Sequence, residues 1–129
     1  MPVRWYTVVV DCRDPAAQAR WWGEVLDWPV VYEDEEEVVI APRHALDDER
    51  TPWEQRATGL CFVSAPEDKT VKNRLHMDVA PPKDVAQEDE VARLVELGAS
   101  HVDIGQGERS WVVLADPEGN EFCVLSPRD

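Results

Sequence analysis

Residues 115–125 read ADPEGNEFCVL, and this stretch decides how the end of the chain folds. In Asp116-Pro117-Glu118-Gly119 the proline presets φ and the glycine tolerates a positive φ, so the four residues specify a tight turn. Phe122-Cys123-Val124-Leu125 then leaves that turn in a fixed direction as an apolar strand. A strand aimed in this way is able to carry a site residue, here Cys123.

Working outward, Ser100–Ile104, Ser110–Leu114 and Glu121–Leu125 read as three short strands. They follow an amphipathic helix over 84–97 with Val91, Leu94 and Val95 inward and Gly98 as its terminator. Arg74–Val79 (RLHMDV) is a strand before that helix. The same order occurs earlier in the chain. VRWYTVVVDC (3–12) is a strand, and Asp14-Pro15 is an N-cap with proline at the first helical position. Ala17, Trp21, Trp22, Val25 and Leu26 form the apolar stripe of the helix that follows. Strands over 28–32, 38–41 and 59–64 come next, with the acidic run Glu33–Glu37 as a solvated hairpin tip and 44–58 as a loop. Offset by 69, Thr7–Val10 lies over His76–Val79, and offset by 62, Leu60–Val63 lies over Phe122–Leu125. The expectation is an α+β fold of two βαβββ modules, roughly 3–65 and 73–127, within one domain spanning 1–129. Hairpin-short connections and the lack of GxGxxG or GxxxxGK[ST] argue against a doubly wound nucleotide fold.

The chain has 129 residues, a length that buries a core without metal or disulfide staples. Its 27 acidic and 13 basic side chains leave a net charge of -14, which repels a phosphate backbone and an anionic membrane surface alike. Nucleic acid and membrane are therefore not expected partners. Cys12, Cys61 and Cys123 form no CxxC pair, and the N-terminus lacks a signal-peptide pattern, so a cytoplasmic location is expected.

DCRDPAAQARWWGEVL, TVKNRLHMDV, VARLVELGAS and ADPEGNEFCVL together resemble the glyoxalase-like and bleomycin resistance-like domains of the vicinal oxygen chelate superfamily, over nearly the whole chain. The resemblance implies that both modules curl into a cup, with helices outside, commonly within a homodimer. It also implies four metal-ligand positions, which fall here on Thr7, Cys61, His76 and Cys123. Of these His76 matches the family's ligand type, whereas thiols stand where carboxylates are expected. The metal-dependent glyoxalase I reaction is accordingly not expected, and neither is a cofactor. A dioxygenase is disfavoured because the His and carboxylate triad is missing at those positions. Cys61, His76 and Cys123 as a softer zinc site is the alternative, against buried thiols acting as small apolar side chains.

His76 and Asp78 share a strand face, the placement of a base and its orienting carboxylate. The alternative is a structural histidine. Lys72 and Arg74, with Lys69 beside them, form the densest basic patch, suited to an anionic group or to ion pairing with surface acids. Trp5 and Trp53 are candidate aromatic walls of a ligand pocket; Thr7, Cys61, Trp111 and Cys123 are further candidate contacts. Two functions remain open from sequence. One is a lyase-, isomerase- or hydrolase-like enzyme acting on a small organic molecule without the usual metal. The other is a resistance-type protein that sequesters such a molecule.

Overall fold

The computed structural model describes residues 3–129, apart from the side chains of Asp47 and Asp48. The chain divides into two compact units, one ending at Asp68 and the other running from Lys69 to Asp129. Both have the βαβββ order, so the α+β expectation with two such modules holds. Among the described residues no helix is long and apolar enough to cross a membrane.

The first unit contains β1 (Thr7–Cys12), α1 (Pro15–Leu26), β2 (Val30–Glu33), β3 (Glu37–Ile40) and β4 (Gly59–Ser64). They form a mixed sheet in the order β1-β4-β3-β2, with β1 parallel to β4 and the other pairs antiparallel. α1 starts where Asp14 accepts the Ala17 N–H at 3.1 Å, with Pro15 in the first turn. It stops at Asp27, which takes a left-handed φ of 55°. A shortfall appears on the helix stripe: Trp22 and Val25 are buried as expected, but Ala17 is exposed and Gln18 and Ala19 are buried instead. The buried face is turned by one residue, and it is centred on Trp22, the largest fully buried side chain. The presumed loop over 44–58 carries two 3-10 segments, Arg43–Arg50 and Trp53–Gln55.

The second unit contains β5 (Asp78–Val79), α2 (Gln87–Leu97), β6 (Ser100–His101), β7 (Val112–Ala115) and β8 (Glu121–Val124), in the sheet order β5-β8-β7-β6. The pairing repeats that of the first unit, with β5 parallel to β8. Several elements are shorter than the sequence suggests. The strand expected over 74–79 is reduced to Asp78–Val79 because residues 74–76 stand exposed before the ladder is entered at Met77, whose carbonyl accepts the Cys123 N–H at 2.9 Å. The strand expected over 100–104 ends at His101, since Asp103 and Gln106 side chains accept the Gly105 and Ile104 N–H groups in a turn. Helix α2 begins at Gln87, not at residue 84, after the turn closed by Val85 N–H on Pro82 O. Glu88, Asp89 and Glu90 place negative charge in its first turn, which complements the helix dipole. Val91 and Leu94 are buried, whereas Val95 is exposed.

The turn at 116–119 owes its shape to Asp116. This carboxylate is buried and accepts the backbone N–H groups of Glu118 and Asn120, each at 3.0 Å, and the Asn120 side-chain amide. Gly119 takes φ 92°, as turn chemistry requires. The stretch therefore delivers Glu121, Phe122, Cys123 and Val124 to β8, all four buried.

Candidate functional site

In the first unit a cavity of about 540 Å³ opens over the sheet, with Glu37 and Val39 of β3 and Gly59 and Cys61 of β4 among its lining residues. Val39 and Cys61 are cross-strand partners, so the pleat brings both to the same face. Gly59 lets the backbone after β3 approach β4 closely, because a Cβ there would lie 2.2 Å from the Ile40 carbonyl oxygen. Arg4, Tyr6, Thr7 and Tyr32 add polar and aromatic lining.

Arg4 is the unusual residue of this cavity. Its guanidinium carbon lies 4.8 Å from the Tyr6 ring centroid and 5.2 Å from that of Trp53, within cation–π range of both. One terminal nitrogen donates to Arg56 O at 3.4 Å. Its Nε is buried and, among the described residues, has no hydrogen-bond partner. Elsewhere in the cavity the Cys61 thiol donates to Glu37 Oε2 at 3.4 Å. Burial, then the Glu37 hydrogen bond and charge, push the Cys61 pKa up to about 11, so it stays a protonated thiol at neutral pH. Tyr32 donates to Asp34 at 2.8 Å, and that hydrogen bond and the Asp34 charge push its phenol upward.

In the second unit His76, Asp78 and Cys123 come together, with one potential ligand atom of each within 4.8 Å of the others. His76 Nδ1 lies 3.7 Å from Asp78 Oδ1 and both side chains are about half exposed. Cys123 is buried beneath them. Its thiol is shifted upward by burial, then by the Asp78 charge and hydrogen bond, with Lys72 pulling the other way. Cys61 belongs to the first unit and is absent from this cluster.

A sequence model of glyoxalase-like domains matches residues 7–125. The chain belongs to the glyoxalase-like domain family. The curated proteins give no match to it. Among solved structures, this glyoxalase-like domain is similar to a genomically encoded fosfomycin resistance protein, FosX, from Listeria monocytogenes complexed with Mn(II) and sulfate (TM-score 0.69, 9% identity, 99% of this chain and 95% of that chain). A glyoxalase/bleomycin resistance protein/dioxygenase family enzyme from Burkholderia phytofirmans PsJN is similar at TM-score 0.65 and 16% identity, over 95% of this chain and 97% of that one. The oxidase ChaP-H2 is similar at TM-score 0.60 and 16% identity, over 99% and 96%. At such identities the likeness establishes the fold.

The first unit of this glyoxalase-like domain does not fit the metal set implied by the family. The Thr7 hydroxyl, a poor metal donor, is engaged with Gly59 O at 3.0 Å, and the one group of three or more possible ligands found among the described residues includes no residue of this unit. Thiols also suit a hard ion such as Mn(II) poorly. The second unit retains a three-donor set of borderline softness in His76, Asp78 and Cys123.

The structure distributes the other candidates as follows. Thr7 and Cys61 line the cavity, and Trp53 packs on Arg4. Trp5 is strongly exposed and absent from the lining, where Tyr6 stands instead. Strand alternation does not extend back to Trp5, because β1 begins only at Thr7. Lys72 donates to Asn73 O, Arg74 is exposed, and Lys69 is held by Glu121, so the basic patch is not one free cluster. Trp111 is exposed, with the Arg109 guanidinium 5.9 Å from its ring centroid. Arg4 and Glu37 escape the sequence reading. Glu37 is hidden at the end of an acidic run, and Arg4 precedes its strand; each becomes informative only through its neighbours.

Proposed function

We propose that this glyoxalase-like domain binds a small organic anion in the cavity of its first unit, as a sequestering protein. The observation that carries this is Arg4, which lines the cavity with its guanidinium within cation–π range of two aromatic rings and, among the described residues, no carboxylate partner. A guanidinium so placed is suited to a carboxylate ligand, which it grips through charge-assisted hydrogen bonds. The resolved titration shifts in this cavity favour binding over proton transfer: Tyr32 and Cys61 both move upward, away from the near-neutral pKa that a general base needs.

Calorimetric titration with a series of aryl carboxylates tests this. Saturable binding is expected, and Arg4→Gln is expected to weaken it about tenfold or more, the value of a charge-assisted hydrogen bond, with the melting temperature unchanged. Equal affinity in the variant would remove Arg4 from the site, and no saturable binding by any member of the series would remove the cavity.

The cluster in the second unit favours a second function, a site for a zinc-type cation at His76, Asp78 and Cys123. Imidazole and thiolate are the donors that such an ion prefers. Titration of the metal-free protein with Co(II) is expected to produce a thiolate-to-metal charge-transfer band in the near ultraviolet. The band should vanish in Cys123→Ser and weaken in His76→Ala. A spectrum showing only oxygen-ligated cobalt would exclude the site.

A further inference from the structure

The cavity of the first unit holds two charges of opposite sign, neither of them neutralised by a partner among the described residues. Arg4 has a carbonyl and two aromatic faces around it and no carboxylate within ion-pair distance. Glu37 accepts a hydrogen bond from the uncharged Cys61 thiol and has no cation within ion-pair distance. Elsewhere, in an acidic chain with ample partners, arginines and carboxylates pair readily, as in Arg20–Glu33 at 3.0 Å and Arg13–Asp68 at 2.8 Å. Within one cavity, then, an arginine and a glutamate line the same space without pairing with each other.

Their positions along the sheet keep them apart. Arg4 is tethered at Arg56, ahead of β4, whereas Glu37 is tethered at Cys61, the third residue of β4. Gly59 and Cys61, both lining the cavity, are themselves ~7 Å apart at the usual rise of a strand. Glu37 is thus held at the Cys61 part of the lining, and Arg4 by the segment that precedes β4.

We infer that the ligand of this cavity is amphoteric, an aromatic ω-amino acid in chemical class, with its carboxylate on Arg4 and its ammonium group on Glu37. This rests on the proposal that the cavity takes an organic anion, and adds the opposite pole. An ammonium group at Glu37 gives that carboxylate the cation it lacks, and the rings of Tyr6 and Tyr32 offer apolar surface to the aromatic spacer. A plain aryl carboxylate satisfies Arg4 alone and leaves Glu37 partly desolvated without a countercharge, which weakens its binding.

Three probes separate the poles: 4-(2-aminoethyl)benzoate carries both charges, 4-ethylbenzoate only the anion and 2-phenylethylamine only the cation. The wild-type protein is expected to bind the amphoteric probe about tenfold or more tightly than either single-charge probe. In Glu37→Gln that preference over 4-ethylbenzoate should disappear, because the ammonium group loses its partner and 4-ethylbenzoate no longer leaves a carboxylate without a countercharge. Equal binding of the amphoteric probe and 4-ethylbenzoate by the wild-type protein overturns the inference without any variant. So does a preference that survives in Glu37→Gln. If Arg4→Gln weakens neither carboxylate probe, the underlying anion site fails as well, which distinguishes the two failures.

Discussion

Lys69→Met is expected to destabilise the second unit by about 3 kcal/mol at neutral pH, because it strands a buried carboxylate. Lys69 Nζ lies 2.9 Å from Glu121 Oε1, with the two side chains only 19% and 9% exposed. The other Glu121 oxygen accepts the Asn73 N–H at 3.2 Å. Burial alone pushes the Glu121 carboxyl upward, but the Lys69 hydrogen bond, backbone N–H groups and the Lys69 charge outweigh it, and the net shift is downward. A carboxyl whose folded pKa lies below its unfolded value stabilises the fold above about pH 4.3, and that contribution is lost as pH falls through the folded value. In the variant burial acts with the cation removed, so Glu121 resists ionisation and its charge is a penalty at pH 7. The gap between wild type and variant should therefore be widest near neutrality and close on acidification, once Glu121 is protonated in both. Urea unfolding followed at several pH values between about 3 and 7 measures this. A gap independent of pH would show that Lys69 acts through packing of its aliphatic stem and not through the ion pair.

Gly59→Ala is expected to cost about 3 kcal/mol and to lower the melting temperature by roughly 10 °C. The added methyl would meet the Ile40 carbonyl oxygen at 2.2 Å and the Ala41 Cβ at 3.1 Å. The first obstacle is backbone, so relief requires moving β3 away from β4 rather than turning a side chain. That movement also separates Glu37 from Cys61, which hydrogen-bond across these two strands. Ligand binding in the cavity should accordingly fall along with stability. A melting temperature within about 2 °C of wild type would mean that β3 yields at little cost.

Local chemistry fixes what was legible in advance. Asp14 and Pro15 open α1, Gly98 closes α2 with φ 125°, and Asp116 with Gly119 turns the chain into β8, each as its residue type requires. The short strands were harder. Asn73 and Met77 are engaged by β8 and its preceding turn, so the length of β5 depends on a segment more than 40 residues away. His76, Asp78 and Cys123 could be singled out by type, but that Asp78 stands opposite Cys123 needed the β5–β8 register.

The sequence by itself determined the doubled βαβββ order, since helix caps, turn residues and hydrophobic periodicity act within a few positions of one another. Read through the family resemblance, it also put thiols, Cys61 and Cys123, at the positions where that resemblance implies carboxylates. Only the tertiary structure decided what stands beside those thiols: Glu37 against Cys61 and Asp78 against Cys123, carboxylates brought from neighbouring strands. It likewise decided that Lys69 is committed to Glu121 and that Arg4 Nε is buried without a hydrogen-bond partner among the described residues. The reason is physical. A charged side chain acquires its role from the partners and burial that non-local strand pairing imposes, and neither is written in its immediate sequence.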